Sequence, residues 1–180
     1  LLEHCVRENL NENATRAMAV LKPLKLIVEN YPADKTEEIE IENNPGKEGA
    51  GVHKATFGRE LYIEESDFSL DPPPKYFRLK PGGMVRLKGA YIVEYTGSDV
   101  DENGNVTEVR CRYIEDSRSG GANAGIKVKG VIHWVNAADC VDITVNRYDY
   151  LINDVEGSLE DRVNPDSKTV LHGKAEKFVA

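Results

Sequence analysis

Cysteine is scarce: Cys5, Cys111 and Cys140 are widely spaced, odd in number, and form no Cys-x-x-Cys pair. That leaves no zinc knuckle and no disulfide framework, and it points to a reduced, cytoplasmic setting with three ordinary core thiols. Long apolar runs are missing too. No stretch approaches the ~18 apolar residues of a membrane-spanning helix, and no signal-peptide pattern opens the chain. The four histidines, His4, His53, His133 and His172, fall into no His-x-x-x-His or His-Glu-x-x-His pattern, so a metal centre has no support. His133 beside Trp134 reads as a hydrogen-bonded core histidine. Gly82-Gly83 and Gly120-Gly121 lack the Lys-Ser/Thr of a phosphate loop and read as a turn and a loop. No catalytic constellation rises above background, so the chain reads as a binder.

What is present suffices for a folded chain. There are 180 residues, 40% hydrophobic and 30% charged, enough for one domain or two small ones. Lys and Arg number 23 against 31 Asp and Glu, a net charge of −8 that argues against nucleic acid. The distribution argues otherwise. Residues 72–93 contain no acid but hold Lys75, Arg78, Lys80, Arg86 and Lys88. Residues 117–138 again contain no acid, with Arg118, Lys127 and Lys129. These 44 residues carry +8 and the other 136 carry −16. Tyr76 and Phe77 lie among the bases of the first window. Cations with interleaved rings suit single-stranded RNA, whose phosphates need charge and whose unpaired bases stack. The plainer alternative is a solvated strand face.

The pattern along the chain is mostly β. Leu1, Leu2, Cys5, Val6 and Leu10 follow helical spacing, and with no N-capping residue ahead of them the helix is expected to begin upstream. Strands are expected at 17–21, 24–28, 38–42, 60–64, 84–87, 90–95, 106–114, 129–135 and 141–145, the run at 129–135 being central. Val170-Leu171 and Phe178-Val179 add strand material near the end. Asp101 to Asn105 is a hairpin turn and Asp71 to Pro74 a loop that joins no central ladder. Both ends look cut, so a piece of a longer protein is expected.

Several segments then carry a resemblance. Arg16-Ala17-Met18-Ala19-Val20-Leu21, Pro23-Leu24-Lys25-Leu26 and Glu29-Asn30-Tyr31-Pro32 resemble the start of the anticodon-binding region of glutaminyl-tRNA synthetases. Glu60 to Ile63 with Asp67-Phe68, then Tyr76, Arg78-Leu79, Gly82, Val85-Arg86-Leu87 and Ala90-Tyr91, follow in the family's order. The run Lys127-Val128-Lys129-Gly130-Val131-Ile132-His133-Trp134-Val135 is the most specific, and Tyr148-Asp149, Leu151 and Asn164-Pro165-Asp166-Ser167 continue the series. Archaeal and eukaryotic glutamyl-tRNA synthetases share this β-rich region and are the nearest rival.

The resemblance implies a mostly β fold: two β-barrels of the ribosomal protein L25-like type, the distal inserted in the proximal, preceded by the end of a helix. The implied division is 1–15 for the end of a helical connecting domain, 16–74 for the first part of the proximal barrel, 75–147 for the distal barrel, and 148–180 for the return. It implies a class I ligase that attaches glutamine to its tRNA with ATP and Mg2+ in a catalytic domain N-terminal to this region. Neither His-x-Gly-His nor Lys-Met-Ser-Lys-Ser occurs here, so this segment is expected to be non-catalytic, to need no cofactor, and to touch neither DNA nor membrane. The implied RNA-binding residues are Asn11, Arg16, Lys75, Tyr76, Arg78, Arg86 and Lys88. Lys88 stands where the bacterial pattern has Arg, Lys75 where it has Gln, Phe77 where it has Lys, and Gly46 where it has Asn. The family continues past this point with further contacts, so affinity below that of an intact enzyme is expected. A protein-interaction barrel would instead place the two basic windows on opposite faces.

Overall fold

The computed structural model describes residues 1–180. The chain opens with α1 (Leu2–Asn13), then β1 (Ala19–Val20), β2 (Pro23–Val28), β3 (Glu37–Glu42), β4 (Val52–Phe57) and β5 (Glu60–Glu64). It continues through β6 (Met84–Leu87), β7 (Ile92–Val100), β8 (Val106–Tyr113), β9 (Val131–Ile132), β10 (Val135–Asn136) and β11 (Cys140–Tyr148). A short helix α2 (Leu159–Arg162) and β12 (Lys168–Glu176) complete it. No helix is long and apolar enough to cross a membrane.

Alternation drives the strands. In β2, Leu24, Leu26 and Val28 point inward; in β3, Ile39 and Ile41 do so while Glu38, Glu40 and Glu42 face water. The expected turn at residues 101–105 joins β7 to β8, with Gly104 at φ +83°, a conformation that favours glycine. At the centre of the core, Phe57 meets Tyr31, Tyr91 and Trp134 edge-on at 5.1, 5.3 and 5.2 Å between ring centroids.

A seven-stranded sheet runs in the order β10-β5-β2-β8-β7-β6-β9. Its two edge strands are separated in the chain by His133 and Trp134 alone, so one segment borders both ends and the sheet curls toward closure. β3 pairs with β4 in a separate ribbon over the core. A third sheet, β1-β12-β11, joins the start of the β region to the end of the chain, with Val20 opposite Lys174. The seven-stranded sheet draws β2 and β5 from before residue 75 and β6 to β10 from after it.

Several expectations are corrected. Residues 129–135 are not one central strand: β9 and β10 are two-residue edges bent apart at His133-Trp134. His133 is exposed, not a core histidine, because the bend turns Trp134 inward and His133 out. Phe178-Val179 lies in a 3-10 turn, since the ladder of β12 ends at Glu176. Only Cys111 of the three thiols is buried; Cys140 is half-buried, and Cys5 sits on α1, which buries no residue. β4 was not expected at all, since its inward positions are His53, Ala55 and Phe57.

Candidate nucleic-acid interface

The two acid-free windows meet. Residues 75–78, Lys80, Gly83 and Met84 line one side of a groove of about 300 Å³, and residues 127–130 line the other. Leu79 anchors the first side: it is fully buried, and its N–H donates to the Asp67 carbonyl at 3.0 Å. The Tyr76 hydroxyl donates to the Ser66 carbonyl at 2.9 Å, and burial, then the charge of Asp67, pushes its pKa up to about 12. Lys75 between these anchors and the proline run takes a left-handed backbone, φ +66°. The second side approaches so closely that a Cβ on Gly130 would lie 1.9 Å from the Phe77 carbonyl oxygen. Only glycine fits there, which is why the Lys-Val-Lys-Gly run can close the groove.

With the anchors inside, Lys75, Phe77 and Arg78 are left exposed. Phe77 is 50% exposed, and the Lys129 ammonium lies 5.3 Å from its ring centroid. The Arg78 guanidinium is held at two points, donating from Nη1 to the Val131 carbonyl at 2.7 Å and pairing through Nε with Asp67 Oδ1 at 3.2 Å. Burial raises the Asp67 carboxyl above its ordinary range, and Arg78 opposes that rise.

The basic surface continues past Arg78. His133 lies near both Lys88 and Arg78, and its pKa is depressed by desolvation and then by those two charges. Lys88 shares a second groove, about 380 Å³, with Arg118, Ser119, Gly89, Pro45, Glu40 and Glu42. Arg86 is half-buried: its Nη1 donates to Ser117 O at 2.7 Å and its Nη2 to Ala124 O at 3.2 Å, bracing the loop after β8.

Beyond Pro45 the surface reaches the helix junction. Buried Asn44 donates its side-chain amide toward the carbonyls of Asn11, Glu12 and Ala14 at 3.0, 3.3 and 3.3 Å, capping the C-terminus of α1. Arg16 follows the helix, with Nη2 donating to the Asn11 carbonyl at 3.4 Å. Lys75, Tyr76 and Arg78 thus share the first groove, Lys88 lines the second, Asn11 and Arg16 meet at the junction, and Arg86 stands beneath the loop. Phe77, Lys127 and Lys129 in the first groove, Arg118 in the second, and Asn44 and His133 beside them lie outside the implied set. Arg118 had a signal, its place in the second acid-free window; Asn44 had none.

A family model described as class I tRNA synthetases (E and Q), anti-codon binding domain, matches residues 14–114, and its companion model of the same description matches residues 131–180. The chain belongs to this family. As an anticodon-binding domain it is similar to three glutamine–tRNA ligases. With that of Clostridium perfringens it is 50% identical over 179 residues, covering 96% of this chain and 32% of the relative. With that of Bradyrhizobium diazoefficiens it is 51% identical over 151 residues, 84% of this chain and 27% of the relative. With that of Stutzerimonas stutzeri it is 44% identical over 188 residues, 100% of this chain and 34% of the relative. The domain therefore spans about a third of the length of these relatives. The mostly β fold expected from the resemblance agrees with this membership, and the two matched segments flank the loop that Arg86 braces.

Proposed function

We propose that this domain grips the anticodon loop of a glutamine-accepting tRNA, in the cytoplasm, for a glutamine–tRNA ligase whose ATP- and Mg2+-dependent chemistry resides in a catalytic domain outside these residues. The observation that carries the reading is the meeting of both acid-free windows in one groove with Phe77 exposed on its wall. Lys75, Lys127 and Lys129 meet phosphates there, and an unpaired base stacks on Phe77. Arg78, already oriented by Asp67 and Val131, presents its remaining donors to a base edge or phosphate. Lys88 carries the surface on into the second groove, Asn11 and Arg16 receive the loop at the helix junction, and Arg86 and Tyr76 hold the framework behind it. Glutamine over glutamate is favoured because the similar ligases named above are all glutamine–tRNA ligases.

A fluorescence titration tests this. A hairpin RNA bearing the glutamine anticodon is expected to bind more tightly than the same hairpin with a glutamate or scrambled anticodon. Arg78→Ala should weaken the first by roughly 1–3 kcal/mol and narrow the difference. Equal binding of all hairpins would overturn the reading.

A further inference from the structure

The loop after β8 carries an arginine to which the resemblance assigns nothing. Its base is rigid: Arg86 donates to carbonyls at both ends, and Ser117 Oγ accepts from Ile92 N–H at 2.8 Å while donating to Ile114 O at 2.6 Å. Arg118, the next residue, is held from outside the loop. Its Nη1 lies 3.5 Å from Glu37 Oε2, and its guanidinium carbon lies 5.8 Å from the Tyr91 ring centroid. The other carboxylate oxygen, Glu37 Oε1, accepts from the hydroxyls of Tyr31 at 2.8 Å and Tyr91 at 2.7 Å. Both rings are buried in the core, so the carboxylate is fixed from beneath while the Arg118 side chain stays 36% exposed.

The groove that Arg118 rims is balanced in charge. Lys88 and Arg118 stand against Glu40 and Glu42. A phosphate gains little from two cations beside two carboxylates. An unpaired base carries no net charge, and its edge presents both donors and acceptors, which cations and carboxylates can each meet.

We propose that Arg118 reads the edge of an unpaired RNA base in this groove, and that Glu37, fixed by the Tyr31 and Tyr91 hydroxyls, is its positioning residue. The assignment rests on the anticodon reading above and adds a residue to it. Arg118→Ala in this chain, titrated with the glutamine-anticodon hairpin over a series of salt concentrations, is expected to bind about tenfold more weakly. The slope of log affinity against log salt is expected to stay the same, because no phosphate contact is lost. Glu37→Gln keeps an oxygen for the hydroxyls but loses the charge that holds the guanidinium. It should weaken binding several-fold in the unsubstituted chain and not at all in the Arg118→Ala background.

Unchanged binding by Arg118→Ala overturns the proposal. So does a loss that is equal for every loop sequence and flattens the slope by about 0.7, since that marks a phosphate contact. Equal losses from Glu37→Gln in both backgrounds overturn its positioning role. If the unsubstituted chain binds the hairpin no better than a scrambled one, the anticodon reading falls and this assignment with it.

Discussion

His133 sits at the exposed bend between the two grooves, where desolvation and the charges of Lys88 and Arg78 depress its pKa. In folding, a histidine whose pKa is lowered in the native state binds fewer protons than the unfolded chain. Its contribution to stability is therefore present above its ordinary value of about 6.5 and is lost as pH falls through the depressed value. RNA reverses the sign. A phosphate brought beside Arg78 offsets that charge, and where this outweighs the further desolvation of the ring the His133 pKa rises and binding takes up a proton. Affinity for the anticodon hairpin is expected to rise as pH falls through the region just above the free-state pKa, and His133→Ala should flatten that rise. Matching pH profiles for the two proteins would overturn this proton coupling. The inward and outward halves of the same bend explain why the residue was misread: an apolar run surrounds His133, and only the reversal at Trp134, whose Nε1 donates to the Lys88 carbonyl at 2.9 Å, turns it to water.

At the scale of elements, α1 is the least supported. It buries no residue and has twelve residues, close to the length below which an isolated helix is marginal in water. The Asn44 amide supplies its C-terminal tie from the loop between β3 and β4. Asn44→Ala removes those bonds, each worth roughly 0.5–1.5 kcal/mol. Amide hydrogen exchange within α1 is expected to accelerate toward that of an unfolded peptide, while the strands of the seven-stranded sheet keep their protection. Loss of protection in both would mean that Asn44 supports the sheet as well. Elements built on clean alternation, such as β2 and β3, were legible because each inward position is Leu, Ile or Val. β4 was hidden because its first inward residue is His53, whose Nε2 pairs with Glu176 Oε1 at 3.0 Å and whose ring stacks on Phe178. A partner so distant in the chain leaves no local trace. The same remoteness concealed the site: the windows at 72–93 and 117–138 were visible as composition, but not that Gly130 lets them touch.

Across the whole molecule, the net charge of −8 describes the acidic body and not the surface proposed to meet RNA. Affinity is expected to fall with added salt despite the negative total, because the slope counts phosphates neutralised locally. Lys129→Ala should flatten that slope by about 0.7, whereas Glu38→Lys, on the wet face of β3, should strengthen binding to all hairpins, matched and scrambled alike. A slope of zero for the unsubstituted chain would place its cations away from the backbone.

The way one segment borders both ends of the seven-stranded sheet also sets an order of events during synthesis. β10 pairs with β5 and β9 with β6, so both seams wait for residues 131–136 to leave the ribosome. Until then β5 and β6 are unpaired ladder edges, able to accept a strand from another chain. A nascent chain stalled before Val131 carries its first acid-free window and both open edges, but lacks the strand segments that seal them. The residues that complete the groove between the two acid-free windows are thus followed at once by those that cover both edges of the sheet.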